Sequence, residues 1–513
     1  MAAATGLAKP RAEQYQGKLT VYLIITSIIA SIGAFLFGYI GLSGGATLNE
    51  GIADLNEELV YRNKHYLDQY CKDDPGSDTV YLPSVYIAGM VASLIASPVS
   101  RKYGRRRSMI VGGINFFIGA ALIAIVPRLI QYGPDELAIM VGRIFAGVGI
   151  GFGVQAIPLY LSEIAPAQYR GGLNFMFQLA ISLGMLASNI INYVTRVEGE
   201  HRWTDYKGIS ISFGIFASLA LLMTVGAKFL HETPNSLIQR GSKDKGRRVL
   251  EKLRGDEDVE EEFQDIVAAS ELASTVKTPF RSIFWKKNRP QLVMAILMPM
   301  FQALTGIDSL LYYSSILLLN MGFGEKSSFY SSVMVGAALV SSALLSMAVV
   351  DRLGRRALLI SGGIIMIICQ VIIGIILVNK LGDDQNLSKG LSILVMALIC
   401  LFALAFGWSW GPISWTIPSE IFPLEIRSIG QSITVVVNFG MTLAVAESFM
   451  PLLCVFKFGL FIFYGSWIIV MTIFVCLFLP ETKGVPIEEM TCVWRKHWFW
   501  KKIVPSQQGH ILS

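Results

Sequence analysis

Charged side chains in this sequence recur in short motifs beside long apolar runs, where little water is available to weaken an ion pair. An arginine can pair with a carboxylate through two parallel hydrogen bonds. Motifs of this kind could therefore form a network that makes and breaks as helices move. The residues placed to do so are Glu163, Arg170, Glu232, Asp351, Arg355, Glu420 and Arg427.

These motifs are spaced as an internal repeat. SRKYGRRR and VDRLGRRA place Gly104 and Gly354 at an interval of 250 residues. YLSEIAPAQYRGG and PSEIFPLEIRSIG repeat at an interval of 257, and HETPNS and PETKGV at 249. Three motifs in the same order at nearly one spacing indicate that the chain consists of two similar halves.

Long apolar runs must position the charged motifs. Only 16% of the 513 residues are charged and the mean hydropathy is +0.54, whereas a soluble chain holds about 25% charged residues. Runs of about 20 apolar residues can cross a bilayer. Twelve are predicted, near 20–46, 80–99, 107–126, 137–158, 172–193, 208–230, 290–319, 329–350, 357–380, 391–418, 428–450 and 456–479.

Twelve spans in two repeats predict an all-α membrane protein with two six-helix halves and a substrate site between them, near the bilayer midplane. Basic residues after the second and eighth spans place that side, and both termini, in the cytoplasm. The expected division is a tail at 1–19, a first half at 20–230 with an extracellular loop at 48–79, a cytoplasmic helical linker at 231–289, a second half at 290–480 and a tail at 481–513.

The charged motifs then have two interpretations. They could serve only as orientation signals. Because both halves carry both signs of charge at helix ends, we favour an inner gate, a network that holds the inside closed while the outside is open.

Other functional classes find little support. The first apolar run is too long for a signal peptide, so we expect a span there. The net charge of +6 is spread over short loops and does not indicate nucleic-acid binding. The six cysteines do not have metal-knuckle spacing, and no cofactor loop or nucleophile elbow stands out. We therefore expect no enzyme activity, no cofactor and no metal.

Several longer motifs resemble the sugar porter branch of the major facilitator superfamily over nearly the whole chain: PLYLSEIAPAQYRG, HETPNS, WSWGPISWTIPSEIFPLEIRSIGQSITVVVNF and LPETKGVPIEEM. The last motifs, with KHWFWKK, resemble the plant monosaccharide–proton symporters of the sugar transport protein group. The resemblance implies a hexose transporter of the plasma membrane that moves its sugar together with a proton. It implies a monosaccharide, a proton and the lipid bilayer as partners, and a monomeric transport unit.

The resemblance also implies substrate contacts. Neutral amides and an aromatic ring suit the hydroxyls and weakly apolar faces of a sugar. One amide alone could equally make an interhelical hydrogen bond, but several on facing spans favour binding. Trp408 is expected to pack or gate, and Trp410 to stack on the sugar. The implied contacts are Gln178, Gln302, Asp308, Trp410 and Asn438.

The resemblance further implies a disulfide between Cys71, in the outer loop, and Cys454, between the last two spans. An extracellular position is oxidising, which permits such a bond. Two free thiols are the alternative.

The sequence departs from the family at the residues that the resemblance implies for proton coupling. Proton-coupled members carry an acid in a stretch like GYDxGISGG, but this chain reads GYIGLSGG with Ile40 after the tyrosine. The arginine that would partner the acid remains, as Arg143. Asp308 replaces a family asparagine, and Leu339 replaces another.

Three hypotheses remain open for this departure. The protein could be an uncoupled facilitator, or Asp308 with Arg143 could form a relocated proton-coupling site. It could bind sugar poorly or carry a different polyol. It could also be a sensor that binds a sugar without transporting it.

Overall fold

A computed structural model gives the fold. The residues it describes are 18–40, 81–129, 136–197, 207–256, 259–274, 279–307, 310, 325–381, 389–456, 459–485 and 490–504. Every regular element in these ranges is helical. Long uncharged runs form helices because only a helix or a closed barrel satisfies the backbone inside a bilayer.

Six membrane helices form the first half. They are α1 (Val21–Gly38), α2 (Tyr81–Tyr103), α3 (Arg105–Leu129), α4 (Glu136–Ile164), α5 (Arg170–Val197) and α6 (Lys207–Phe229). The start of α1 is fixed by Thr20, whose hydroxyl accepts a hydrogen bond from the amide of Leu23 at 3.1 Å. A threonine in this position satisfies one of the free amides of the first turn.

Short polar helices follow: α7 (Pro234–Gln239), α8 (Lys243–Arg254), α9 (Glu260–Ser274), α10 (Pro279–Ser282) and a 3₁₀ turn (Lys286–Asn288). Arg254 ties this linker to the first half, because it donates to the carbonyl of Ile164 at 2.8 Å. Its pair with Glu262 at 2.6 Å joins α8 to α9 within the linker.

The second half contains α11 (Arg289–Leu304), α12 (Glu325–Leu353), α13 (Arg355–Leu381), α14 (Lys389–Trp408), α15 (Trp410–Ile421), α16 (Arg427–Phe456) and α17 (Leu460–Phe478). A short helix, α18 (Met490–Lys496), and a 3₁₀ turn (Trp500–Lys502) follow. Eleven segments of the described chain are long and apolar enough to span a membrane, with α14 and α15 counted as one. The shorter α11 occupies the seventh predicted span, which confirms the twelve-helix fold.

Two predicted spans are interrupted. The tenth breaks at Ser409, between α14 and α15. Pro412, the third residue of α15, has no backbone N–H and so cannot donate a helical hydrogen bond back to the end of α14. In the seventh, α11 ends at Leu304, and Gly306 follows with φ +77°. A Cβ on Gly306 would lie 2.7 Å from the ring of Tyr464, so this turn requires glycine.

The two halves meet along equivalent helices, α5 against α12 and α2 against α16. Within the first half, α1 packs closely on α5 because a Cβ on Gly38 would collide with the backbone of Ile181, and one on Gly184 with that of Phe35. Small residues of this kind let membrane helices approach closely. The glycine near the end of α1 therefore brings this helix against α5 beside the space between the halves.

Candidate functional site

A cavity of about 80 Å³ lies between the halves. The first half contributes α1, α2 and α5, and the second contributes α11, α12, α14, α15 and α16. The polar residues of its wall are Tyr86, Gln178, Gln302, Asn438 and Thr442. The cavity thus brings Gln178, from one half, to the same space as Gln302 and Asn438, from the other.

The amides of the second half are held in place by each other. Asn438 donates from Nδ2 to Oε1 of Gln302 at 3.0 Å, and Gln302 donates from Nε2 to the carbonyl of Gly411 at 3.1 Å. Oε1 of Gln178 is buried and has no hydrogen-bond partner within the described chain. A buried acceptor without a partner costs about 1–3 kcal/mol, so a hydroxyl-bearing ligand at this wall would offset a penalty that is already present.

Trp415, not Trp410, is the tryptophan at the cavity wall. Trp415 lines the cavity with Phe37 and packs on Phe177 at 5.5 Å between ring centroids. Trp410 is fully buried away from this wall and packs on Phe301 at 6.3 Å. The break at Ser409 starts a new helix, and this sets which of the two rings faces inward. Trp410, which the sequence led us to expect at the sugar, therefore does not line this cavity.

Apolar residues complete the wall. Leu339, in the place of the family asparagine, lines the cavity with Phe406 and Ile307. Such residues exclude water from the cavity. The three amides are then the main hydrogen-bonding groups of the wall.

The repeated charged motifs lie together at one end of the bundle, which we call the motif end. Their side chains make contacts between the two halves there. In the first half, Arg105 pairs with Glu163 at 2.7 Å and Thr233 donates to the same carboxylate at 2.6 Å. Arg427, from the second half, reaches Glu163 at 3.4 Å. The side chains of Glu163, Arg105 and Arg427 are at most 1% exposed. One buried carboxylate thus links the two halves.

The second half repeats the arrangement with a different crossing contact. Arg355 pairs with Glu420 at 2.9 Å and with Asp351 at 3.2 Å. Asp351 accepts hydrogen bonds from the backbone amides of Gly171 and Gly172, at 3.1 and 2.8 Å, at the start of α5. A carboxylate is favoured there because free amides and the helix dipole point at it. Arg170 donates to the carbonyl of Val485 at 3.4 Å.

Two further carboxylates cap the helices that carry the arginines. Glu232 accepts from the amide of Arg105 at 2.9 Å, and Glu481 accepts from the amide of Arg355 at 3.0 Å. Burial raises the pKa of Glu232, and the charges of Arg105 and Arg240 oppose that rise.

The sequence analysis included Glu232 in this network but missed Arg105, Thr233 and Glu481. The paired HETPNS and PETKGV motifs carry the signal that would have found Thr233 and Glu481.

A family model described as "Sugar (and other) transporter" matches residues 26–494. This chain belongs to the sugar transporter family. Sugar transport protein 7 of Arabidopsis thaliana is 56% identical to it over 505 residues, which cover 98% of this chain and 96% of that protein. Sugar carrier protein A of Ricinus communis is 56% identical over 508 residues, covering 98% and 95%.

The transporter also shares its fold with solved structures. The proton:xylose symporter XylE bound to 6-bromo-6-deoxy-D-glucose matches with a TM-score of 0.77 at 23% identity, over 93% of this chain and 100% of that one. The inward-open conformation of XylE from E. coli matches with a TM-score of 0.66 at 24% identity, over 92% and 99%. The transporter therefore has the major facilitator fold and is a multi-pass membrane protein.

Some residues expected at functional positions lie elsewhere in the transporter or outside the described residues. Arg143 lies in α4, is 4% exposed and does not line the cavity. Ile40 is buried beside Tyr39, whose hydroxyl hydrogen-bonds to Oγ of Ser212 at 2.7 Å. Asp308, Cys71 and the side chain of Cys454 are outside the described part of the chain.

Proposed function

We propose that this transporter carries a monosaccharide, specifically a hexose, by alternating access. The observation that supports the proposal best is a cavity between the halves that combines amides with an aromatic wall. Gln178, Gln302 and Asn438 offer the neutral donors and acceptors that sugar hydroxyls need. Trp415 offers a flat apolar surface for the sugar ring.

The ion pairs at the motif end act as the inner gate in this proposal. Glu163 with Arg427, and Asp351 with the start of α5, tie the halves together at that end. Both contacts must break before the halves can part there. The basic loops support a cytoplasmic position for the motif end. We also propose the plasma membrane as the site of the protein and a monomer as the transport unit.

We propose the same division of the chain into tails, halves and linker that the sequence predicts. The division is 1–19, 20–230, 231–289, 290–480 and 481–513. We also keep the pairing of Cys71 with Cys454 as a proposal.

For coupling, we propose proton symport with Asp308 and Arg143 as the coupling residues. XylE, whose fold this chain shares, is a proton:xylose symporter. A second candidate, an uncoupled facilitator or a sensor that binds sugar, is favoured by one observation. Residues 18–40, which include α1, contain no carboxylate, and Ile40 follows Tyr39 where the family places an acid.

Uptake of radiolabelled glucose by transporter-deficient yeast tests these proposals. Uptake that falls as the external pH rises and is abolished by an uncoupler supports symport, and uptake insensitive to both supports the facilitator. Asp308→Asn should remove the pH dependence if Asp308 is the proton site. Retained pH dependence in that variant contradicts its role. Saturable binding without uptake identifies a sensor.

A further inference from the structure

Between the cavity and the gate lies a layer of buried amides that neither of them includes. Its members are Gln155 on α4, Asn174 on α5 and Gln431 on α16, and we call them the amide layer. Gln155 and Gln431 are 0% exposed, and Asn174 is 4% exposed. None of the three lines the central cavity.

The layer lies on the route from the cavity to the motif end. On α5, Asn174 is one turn from Arg170, and Gln178 is one turn further, so the three lie on one face. On α16, Gln431 is one turn beyond Arg427 and on the face that leads to Asn438. A polar stripe therefore joins gate to cavity on each of these helices.

The repeat places the layer in both halves. Asn174 and Gln431 stand 257 residues apart, the same interval that separates Arg170 from Arg427. Each half thus carries an amide one turn inside its gate arginine.

Two members of the layer bridge the halves. Gln155 donates to the carbonyl of Ser428 at 3.3 Å, and Asn174 donates to Oγ of Ser419 at 3.1 Å. These bonds must break when the halves part at the motif end. Their donors would then face the path that opens.

The layer also has hydrogen-bonding capacity that is unused in the closed arrangement. Oε1 of Gln155, Oδ1 of Asn174 and both amide atoms of Gln431 are buried without a hydrogen-bond partner in the part of the chain that the structure describes. A buried polar atom in this state calls for an explanation. Internal water is the simplest one, but water alone does not explain why the amides follow the stripe from cavity to gate.

We propose that the amide layer is a second monosaccharide subsite, occupied as the sugar passes between the central cavity and the motif end. The proposal rests on the proposed transport function. When the gate opens, the hydroxyls of the sugar replace the bonds to Ser428 and Ser419 and meet the free amide atoms of Gln431. The ligand class is a neutral polyhydroxylated molecule, because the layer offers amides and hydroxyls and its members carry no charge.

Sided kinetics in proteoliposomes test this subsite. Glucose is presented either from the motif end or from the opposite end, and the KM is measured for each side. Gln431→Leu should raise the KM from the motif end about tenfold, as expected for one lost hydrogen-bonded contact, and leave the KM from the opposite end within about twofold. Gln155→Leu carries the same expectation and serves if Gln431→Leu does not fold.

A matched control comes from within the second half. Gln370 on α13 is likewise 0% exposed with both amide atoms unpartnered in the described chain, but it lies beside Gly465 of α17, away from the contact between the halves. Gln370→Leu should leave both KM values within about twofold.

Three results would overturn the subsite. The first two are a KM that is unchanged on both sides and a KM that rises equally on both sides. The third is a KM that rises from the motif end and falls from the opposite end, because this pattern marks a shift in conformational balance. Each would leave the layer as a water-filled or packing element. A wild-type protein that does not transport would instead contradict the proposed function itself.

Discussion

At the scale of single residues, hydrogen bonds hold Gln302 and Asn438 in place at the cavity without any ligand. Their mutual hydrogen bond and the bond from Gln302 to Gly411 fix both side chains, so little rotamer freedom remains to be lost on binding. Such pre-organisation lowers the entropic cost of association. The same wall keeps an acceptor of Gln178 without a partner in the described chain.

The two tryptophans of the motif WSWGPISW should respond differently to substitution. Trp415→Leu removes the aromatic face at the cavity and should weaken sugar affinity about threefold to tenfold, since aromatic contacts contribute about 0.5–1.5 kcal/mol. Trp410→Leu, in the packing against Phe301, should lower the thermal stability and leave the affinity of the folded protein nearly unchanged. Glucose-binding titration and thermal unfolding of the purified variants separate the two effects. The reverse pattern would return the stacking role to Trp410.

The sequence indicates which amides line the cavity but not which tryptophan does. Gln178, Gln302 and Asn438 are amides in apolar spans, a costly combination that marks an internal cavity or a helix contact, and all three lie at the cavity. Trp410 and Trp415 could not be distinguished in this way. Which ring points inward depends on the break at Ser409, and that break depends on the packing of two helices.

At the scale of helices, the proposed gate consists of helix ends joined by charged side chains. Glu163→Gln removes the buried ion pair between the halves, and breaking such a pair costs about 3–5 kcal/mol. Asp351→Asn weakens the hydrogen bonds that the carboxylate accepts from the amides of α5, which cost about 1.5–3 kcal/mol to lose. Both variants should shift the population towards forms open at the motif end. Glu262→Gln is the control, because its pair with Arg254 ties the linker helices to each other. Distances between spin labels on α4 and α16 at the motif end should lengthen in the first two variants only. Unchanged distances would reduce the motifs to orientation signals.

The cap of α3 predicts a pH dependence of stability. Burial raises the pKa of Glu232 above its usual value, so the folded state binds the proton more tightly than the unfolded state does. The resulting stabilisation is present below the unfolded pKa, about 4.3, and is lost as the pH rises through the raised pKa. The Tm of the wild type relative to Glu232→Gln should therefore fall as the pH rises across this interval. A relative Tm that rises instead would show that the Arg105 and Arg240 charges outweigh the burial.

At the scale of the whole molecule, the repeat and the hydropathy were sufficient to predict twelve helices in two halves, and a cavity lies between these halves. They could not predict where helices break inside the bilayer. The sequence near residue 305 reads as one apolar run, but Gly306 turns the chain against Tyr464. The partners of Asp351 across the halves also escaped prediction, since they are backbone amides of α5, which leave no trace in the sequence.

Counterflow in proteoliposomes tests the proposal that this chain moves a sugar through the cavity between its halves. Vesicles loaded with unlabelled glucose and diluted into labelled glucose should take up label transiently, without any ion gradient. Asn438→Leu should weaken the apparent affinity about tenfold to a hundredfold, because it leaves Gln302 with one partner fewer and removes a sugar contact. Glucose binding without counterflow in the wild type, or counterflow in Asn438→Leu with unchanged affinity, would show that sugar does not pass through this cavity.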